Sequence, residues 1–337
     1  MTDTTVTASV FAKTDLGRTR DHNEDAFLVA DLSAGRSSHH STVVNYKVGP
    51  HGLLILVADG MGGAAAGELA SAMAADLIFG HLIGTWTKES DTTPDRFTTL
   101  LRQAVELANL QIHSYAREHP EVRGMGTTAT VAGVLGDHIY LAQVGDSRGY
   151  LVRQGKAVQI TKDQSLTQRL VDAGELTEEE AEASTRRNII LQALGPDPKI
   201  RVELTHEQIS RGDTLVLCSD GLSGQVKREE IAAHVARLPD LDQLGAELIT
   251  LANTRGGPDN ITVVAARFDG PGLPEAAVDP SYSVIETEEM VRTPTETPAP
   301  APPPSLPQRR TGSPAGMAML VIGTILVLLA AFLAFGG

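Results

Sequence analysis

Cysteine is almost absent from this sequence, and positively charged residues are in deficit. The one cysteine, Cys218, can form no intramolecular disulfide and no zinc site built from several thiolates, which fits a reducing compartment. Lysine and arginine total 28 against 42 aspartates and glutamates, so the formal net charge is -14. Because nucleic-acid affinity depends on neutralising phosphates, this balance argues against a nucleic-acid-binding protein. It leaves many carboxylates available to bind cations.

The C-terminal segment differs in composition from the residues before it. Of the 18 prolines, 11 lie between Pro271 and Pro314, which predicts an extended, solvated linker over residues 271–316. Residues 317–335 contain no charged side chain, and as a helix they would be roughly 28 Å long, enough to cross a bilayer core of about 30 Å. We therefore expect a transmembrane helix there, with a buried globular helix as the alternative.

The charges beside this apolar run predict its orientation. Arg309 and Arg310 precede the run, whereas only glycines follow it. By the positive-inside rule, the residues before the run face the cytoplasm. The N-terminus also lacks the basic start and apolar core of a signal peptide. We expect residues 1–270 to form a cytoplasmic domain anchored to the inner (cytoplasmic) membrane by a single C-terminal span.

Residues 1–270 combine helical and strand patterns. Apolar residues at spacings of three and four predict one helix from Pro94 to about Pro120 and another from Glu68 into Leu82. The spacing does not distinguish parallel from antiparallel strand pairing. Short apolar runs predict strands at Thr127 to Leu135, His138 to Val144, Thr214 to Cys218 and Ile261 to Phe268.

Several acidic residues lie where predicted strands begin or end. The run LLILVADGMGG, residues 53–63, is an apolar strand that ends in Asp59 and glycines, and both Asp220 and Asp146 follow strands in the same way. Asp259 precedes a strand, as do the acidic residues of the motif RTRDHNED. Each position alone is consistent with an ordinary turn. Together they can converge into a site of carboxylates and carbonyls, the ligands that Mg²⁺ and Mn²⁺ prefer.

These motifs also resemble those of a known family. Six motifs follow one another along the chain: RTRDHNED, VADGMGG, GMGTTATV, VGDSRG, LCSDGL and PDNIT. In this order they resemble the motifs of the metal-dependent protein serine/threonine phosphatases of the 2C family, those of the bacterial branch in particular. The resemblance covers about residues 8–268 and makes residues 1–270 the expected catalytic domain. It implies an α+β fold, a four-layer α-β-β-α sandwich of two antiparallel sheets with helices on both outer faces and the metals in a cleft at one end.

The resemblance implies a metal-binding role for five residues. Asp59 would bridge two Mn²⁺ or Mg²⁺ ions, and the Gly60 carbonyl would bind one of them. Asp220 and Asp259 would complete the site of the other ion. Asp146 would help to hold a weaker third ion.

The remaining site residues are implied to act around these metals. Arg20 would bind the phosphoryl oxygens, a role that suits a planar guanidinium and makes it both a substrate-binding and a catalytic residue. Glu24 and Asp25 would hold water molecules on the metals, and Asn260 would orient the backbone of the site. The threonines at residues 127–128 are interpreted as strand-packing residues.

The implied activity is the hydrolysis of phosphoserine and phosphothreonine in proteins by a hydroxide that two metals activate, without a phospho-enzyme. Its partners would be phosphorylated proteins, and it would oppose a bacterial Ser/Thr kinase at the membrane. One alternative is a catalytically weak or inactive relative that binds or recruits phosphoproteins, and another is a structural divalent-cation module. Cys218 is expected to be a core residue in each case.

The sequence departs from the family pattern at three positions. Met61 stands where many eukaryotic members have a histidine, Gly224 where members usually have an aspartate near the third metal, and Gln164 where bacterial members commonly have a histidine. The segment from Ser165 to Leu194 resembles the mobile flap of the bacterial branch. Residues 33–52 form a long polar connection, for which an ordinary hairpin loop is the default interpretation.

Overall fold

A computed structural model describes residues 4–38, 43–276 and 283–285. The predicted transmembrane helix and most of the predicted linker lie outside the described residues, so both stay predictions. Ordered structure continues past residue 270, because Leu273 is buried and Ser283–Val284 forms a strand. By length and composition alone, one helical stretch among the described residues, Ala66–Lys88, could cross a membrane. It belongs to a helix that packs into the hydrophobic core.

Two sheets form the centre of the fold, and all of their strand pairs are antiparallel. The first sheet has the spatial order Lys156–Gln159 (β10), Arg148–Arg153 (β9), Thr214–Cys218 (β12), Ile261–Asp269 (β13), Thr7–Asp15 (β1) and Val44–Lys47 (β4). The second has the order Ser283–Val284 (β14), Glu203–Gln208 (β11), His138–Val144 (β8), Ala129–Leu135 (β7), Leu53–Met61 (β5), Asp25–Asp31 (β2) and Arg36–Ser38 (β3). The short strand Gly126–Thr127 (β6) pairs with the end of β5.

Helices cover the outer face of each sheet. The helices Ala64–Gly84 (α1) and Pro94–Glu118 (α2) pack on the second sheet, and Arg228–Arg237 (α6) and Leu241–Thr254 (α7) pack on the first. The described residues also form three shorter α-helices, Leu166–Asp172 (α3), Glu178–Ala183 (α4) and Asp220–Ser223 (α5), and two short 3-10 helices, Trp86–Lys88 and Pro120–Val122. The four-layer sandwich expected from the sequence is therefore confirmed.

The long apolar run of β5 follows from its position in the second sheet. Its side chains alternate between the core that separates the two sheets and the core beneath α1 and α2, so both faces of the strand are buried. The alternating sets are Leu53, Ile55 and Val57 on the inner face and Leu54, Leu56 and Ala58 on the outer face. A strand that is packed on both faces holds the residues at its end firmly.

The predicted hairpin between residues 33 and 52 is wrong. The segment Arg36–Ser38 pairs with β2 at the edge of the second sheet, whereas Val44–Lys47 pairs with β1 at the edge of the first. One connection therefore supplies an edge strand to each sheet. Each edge strand is only three or four residues long, and this explains why no strand pattern is visible in the sequence.

Candidate active site

Asp59 lies near the end of β5 and is opposite Asp25 of β2 in the strand register. Two threonines hold its backbone. The Asp59 amide donates to the Thr128 hydroxyl at 2.9 Å, and the Thr127 hydroxyl donates to the Asp59 carbonyl at 3.0 Å. The sequence-based interpretation of these threonines as packing residues is therefore incomplete, because they also position the candidate catalytic carboxylate.

Asp25 receives two hydrogen bonds from the neighbouring sheet. The hydroxyls of Ser219 and Thr262 donate to its Oδ2 at 2.7 and 2.6 Å. Desolvation nevertheless raises the pKa of Asp25 to about 7, because the two hydrogen bonds only partly offset it and Asp220 and Asp259 lie nearby. The contacts join a strand of the second sheet to residues that follow β12 and begin β13, so the site spans the gap between the sheets.

Mutual repulsion shows that the predicted metal ligands converge. Desolvation is the main cause that raises the pKa of Asp59 well above its ordinary value, and the charges of four other aspartates add to it. Desolvation and Asp259 raise the pKa of Asp220 to about 6, and the carboxyl groups of Asp220 and Asp59 lie within hydrogen-bonding distance. Desolvation and Asp220 raise the pKa of Asp146 to about 8.

These residues fit a divalent cation. The Asp146 Oδ1 is buried without a hydrogen-bond partner, which is an unfavourable position for a carboxylate oxygen unless a cation or proton binds it. The surrounding carboxylates are hard oxygen ligands of the kind that Mg²⁺ and Mn²⁺ prefer. Within the described ranges, no three acidic, histidine or cysteine side chains already have the spacing of a closed metal site.

Arg20 and Asn260 organise the loop beside these carboxylates. The Arg20 Nη2 donates to Asp259 at 2.8 Å, and about half of the Arg20 side chain is exposed. The buried Asn260 accepts a hydrogen bond from the Glu24 amide at 2.8 Å and donates two to backbone carbonyls of the same loop, those of Leu16 and His22. Asn260 thus holds both ends of the turn that presents Arg20.

Residues 39–260, more than half of the chain, match the sequence profile of a family described as protein phosphatase 2C. The chain belongs to the protein phosphatase 2C family. The enzyme class expected from the motifs, a metal-dependent protein phosphatase, is therefore confirmed.

Individual relatives agree with this assignment. The serine/threonine phosphatase stp of Listeria welshimeri is 37% identical over 253 residues, which cover 75% of this chain and 92% of the relative. The solved serine/threonine phosphatase of S. agalactiae has a TM-score of 0.67 and 34% identity, and the match covers 77% of this phosphatase and 98% of that chain. These relatives are bacterial, as the motifs predict.

A further solved relative contains metal ions. The catalytic domain of the serine/threonine protein phosphatase PstP, solved in complex with two manganese ions, has a TM-score of 0.63 and 34% identity. The match covers 79% of this phosphatase and 100% of that chain. A two-metal site is thus present on this fold, as the sequence predicts for the phosphatase described here.

Arg187, which no sequence motif marks as a site residue, lies close enough to Asp220 to act on its charge. Its positive charge lowers the pKa of Asp220, partly offsetting desolvation and the neighbouring carboxylates. A side chain at Gly224 would begin 3.9 Å from the Arg187 Nη2 and 2.9 Å from the Asp220 carbonyl. The position where family members usually have an aspartate is therefore cramped and next to a guanidinium. No local signal predicts this proximity, because Arg187 comes from the segment that resembles a flap.

Gln164, the third departure from the family pattern, has a structural role. Its Oε1 accepts a hydrogen bond from the Gly145 amide at 3.0 Å, and its Nε2 donates to the Arg201 carbonyl at 2.9 Å. The first bond fixes the backbone next to Asp146. Gln164 thus supports the strand exit that carries this carboxylate.

Replacing Asp146 with asparagine is expected to change the pH dependence of stability in the metal-free phosphatase. The pKa of Asp146 is raised from 3.8 to about 8, so the folded protein retains a proton that the unfolded chain releases. Below pH 3.8 this proton makes its full contribution to the free energy of unfolding, and the contribution is lost as the pH rises through 8. The loss is at most about 1.4 kcal/mol per pH unit. Urea unfolding with chelator at pH 5 and pH 8.5 should therefore show a smaller decrease for Asp146→Asn than for the wild type. The exposed Asp76→Asn variant is the control, and equal decreases in all three proteins would contradict the prediction.

Proposed function

We propose that this phosphatase hydrolyses phosphoserine and phosphothreonine in proteins with the help of two Mn²⁺ or Mg²⁺ ions. The observation that carries the proposal is the convergence of five aspartates beside an arginine at one end of the sandwich: Asp25, Asp59, Asp146, Asp220 and Asp259. Such a cluster is electrostatically costly without cations, and the adjoining guanidinium suits a phosphoryl dianion.

The proposed ligands are those that the motifs indicate. Asp59, the Gly60 carbonyl, Asp220 and Asp259 would hold the two ions, and Asp146 would hold a weaker third. When bound, such ions lower the pKa of a water molecule and offset negative charge on the transferring phosphoryl group. The protein's part is to hold the carboxylates in place, which the packed strand β5 and the Thr127 and Thr128 hydrogen bonds achieve for Asp59.

The other groups at the site have complementary roles in this proposal. The half-exposed Arg20 can turn from Asp259 to the oxygens of a phosphoryl group. Glu24 and Asp25 would accept hydrogen bonds from water at the metals. Direct hydrolysis is favoured over a phospho-cysteine intermediate, because burial raises the pKa of the Cys218 thiol to about 12 and keeps it protonated.

We also propose that the phosphatase acts at the cytoplasmic membrane on proteins that a bacterial Ser/Thr kinase phosphorylates. The support is the composition of residues 317–335, which have no charge and the length of a membrane span, and the position of Arg309 and Arg310 before them. A membrane-anchored catalytic domain would dephosphorylate proteins close to the membrane.

One experiment tests both parts of the proposal. The tagged full chain and a chain truncated after Glu286 are expressed, cells are fractionated, and each protein is purified from the membrane and soluble fractions. We expect both proteins to release phosphate from a phosphothreonine peptide with Mn²⁺ or Mg²⁺ and to release none with chelator. The active full chain should be found in the membrane fraction and the active truncated chain in the soluble fraction.

The possible failures are distinct. If folded, metal-loaded protein releases no phosphate from any phosphopeptide, the hydrolase proposal fails and a phosphoprotein-binding role is favoured. If the active full chain is found in the soluble fraction, only the membrane location is wrong.

A further inference from the structure

A cavity of about 490 Å³ has none of the five aspartates among its lining residues. One wall is the C-terminal turn of α2, which contributes His113 and Arg117, residues one helical turn apart on the same face. The segment Arg123 to Met125 and Gly195 also line the cavity. Arg117, Arg123 and Gly124 are exposed, so the cavity opens to solvent.

The cavity is basic in a strongly acidic protein. None of its lining residues is acidic. The guanidinium groups of Arg117 and Arg123 have no hydrogen-bond or ion-pair partner in the part of the chain that the structure describes. The neighbouring Glu121 is already paired with His119, at 3.1 Å. Two guanidiniums are therefore available to a ligand.

His113 adds a third polar group with a defined orientation. Its Nδ1 lies 2.8 Å from the Gly195 carbonyl, and because a carbonyl only accepts, Nδ1 carries the hydrogen. In this tautomer the other ring nitrogen, Nε2, can only accept a hydrogen bond, so His113 forms part of the wall and the two arginines are the donors for an anion. The imidazole is thus held between α2 and the loop at Gly195.

The wall of the cavity is continuous with the strand that carries Asp59. Met61 pairs with Gly126 in the β5–β6 register, and a Cβ on Gly62 would lie 3.0 Å from the Met125 Cα. Two residues along a strand span about 7 Å, and neighbouring strands lie about 5 Å apart. The cavity therefore begins on the order of 10 Å from Asp59, a distance that three or four residues of extended peptide cover.

We propose that this cavity binds an acidic side chain of the protein substrate, located three or four residues from the phosphorylated residue. The inference rests on the proposed function, because it describes how the same site selects its substrates. Guanidiniums bind carboxylates through paired hydrogen bonds, and a cavity with two of them and no acidic residue favours an acidic side chain over a neutral one. Because both arginines are exposed, the preference is moderate and decreases with salt.

The experiment compares peptides that differ only in charge. One series of phosphothreonine peptides has Glu at the third and fourth positions on either side of the phosphothreonine, and a second series has Gln at the same positions. A small substrate, p-nitrophenyl phosphate, reports on the reaction without a peptide. The wild-type full chain is expected to show a kcat/KM about tenfold higher for a Glu peptide at low salt. The double variant Arg117→Gln/Arg123→Gln should lose this preference, mainly through KM, and should hydrolyse p-nitrophenyl phosphate at the wild-type rate.

A matched control removes two positive charges elsewhere. In the strand register Arg36 lies opposite Asp31, at the end of β2 that is remote from Asp25. Lys47 lies opposite Thr7, at the end of β1 that is remote from the site. Arg36→Gln/Lys47→Gln should keep the full preference, which separates local binding from the change in net charge.

The outcomes separate the two proposals. Hydrolysis of all substrates without a preference for Glu, or a preference that survives in the Arg117/Arg123 variant, overturns the cavity as a substrate site and leaves the phosphatase function standing. Equal loss of preference in the control variant also overturns it, because a general charge effect then explains the result. No hydrolysis of any substrate overturns the proposed function, and with it this subsite.

Discussion

Replacing Asp59 with asparagine is expected to reduce phosphate release by about a thousandfold or more while the chain stays folded. Asp59 is the carboxylate on which the charges of Asp25, Asp146, Asp220 and Asp259 all act, so it lies at the centre of the cluster. Losing its charge and one oxygen ligand should weaken binding of both proposed ions, on which the reaction depends. The measurement is kcat on a phosphothreonine peptide across a titration of Mn²⁺.

Thermal unfolding of the same variant separates catalysis from folding. Because desolvation and like charges raise the pKa of Asp59, its ionised form destabilises the metal-free protein. Asp59→Asn with chelator at pH 8 should therefore melt at the wild-type temperature or above it. The exposed Asp76→Asn variant should retain normal activity. Activity of Asp59→Asn within tenfold of the wild type at saturating Mn²⁺ would show that this carboxylate is not central.

Replacing Asn260 with alanine is expected to produce the largest combined loss of stability and activity. The Asn260 side chain is buried and makes three hydrogen bonds to the backbone of one loop, at 2.8 to 3.0 Å. Its removal leaves the Glu24 amide and the carbonyls of Leu16 and His22 without those partners, which should cost about 3 kcal/mol. Because Arg20 lies within that loop, we expect kcat to decrease by about a hundredfold as well. Urea unfolding and steady-state kinetics measure the two effects.

Asn109 offers a matched control for this variant. It is also a buried asparagine, and it bonds to the backbone at Gly195 and Asp197 instead of to the Arg20 loop. Asn109→Ala should lose stability and keep near-normal hydrolysis of p-nitrophenyl phosphate. If both variants lose activity in proportion to stability, Asn260 has no specific effect on the position of Arg20.

The local features of the fold were largely predictable. The helix expected from Pro94 is present as α2, and the strands expected at His138 to Val144 and Thr214 to Cys218 have those bounds. Periodicity succeeds here because each pattern reports which side of one element is buried. It fails for residues 33–52, where two short edge strands join different sheets and have no pattern of their own.

The contacts of the site were less predictable, because they join distant parts of the chain. The Thr127 and Thr128 bonds to Asp59 cross 68 and 69 positions, and those of Asn260 cross more than 230. A threonine within a strand has the same local pattern whether its hydroxyl packs or holds a carboxylate. The proximity of the Arg187 charge to Asp220 likewise depends on how its segment folds back.

The sequence by itself indicated which residues are candidates for the chemistry. Aspartates next to glycines at strand ends, with an arginine ahead of the first strand, are local patterns that turn requirements and metal chemistry impose on neighbouring residues. Only the tertiary structure decided which of these groups meet, how strongly they repel one another, and that Arg117 and Arg123 line one basic cavity. Those properties depend on distances between elements, and such distances are set by how the two sheets and their helices pack.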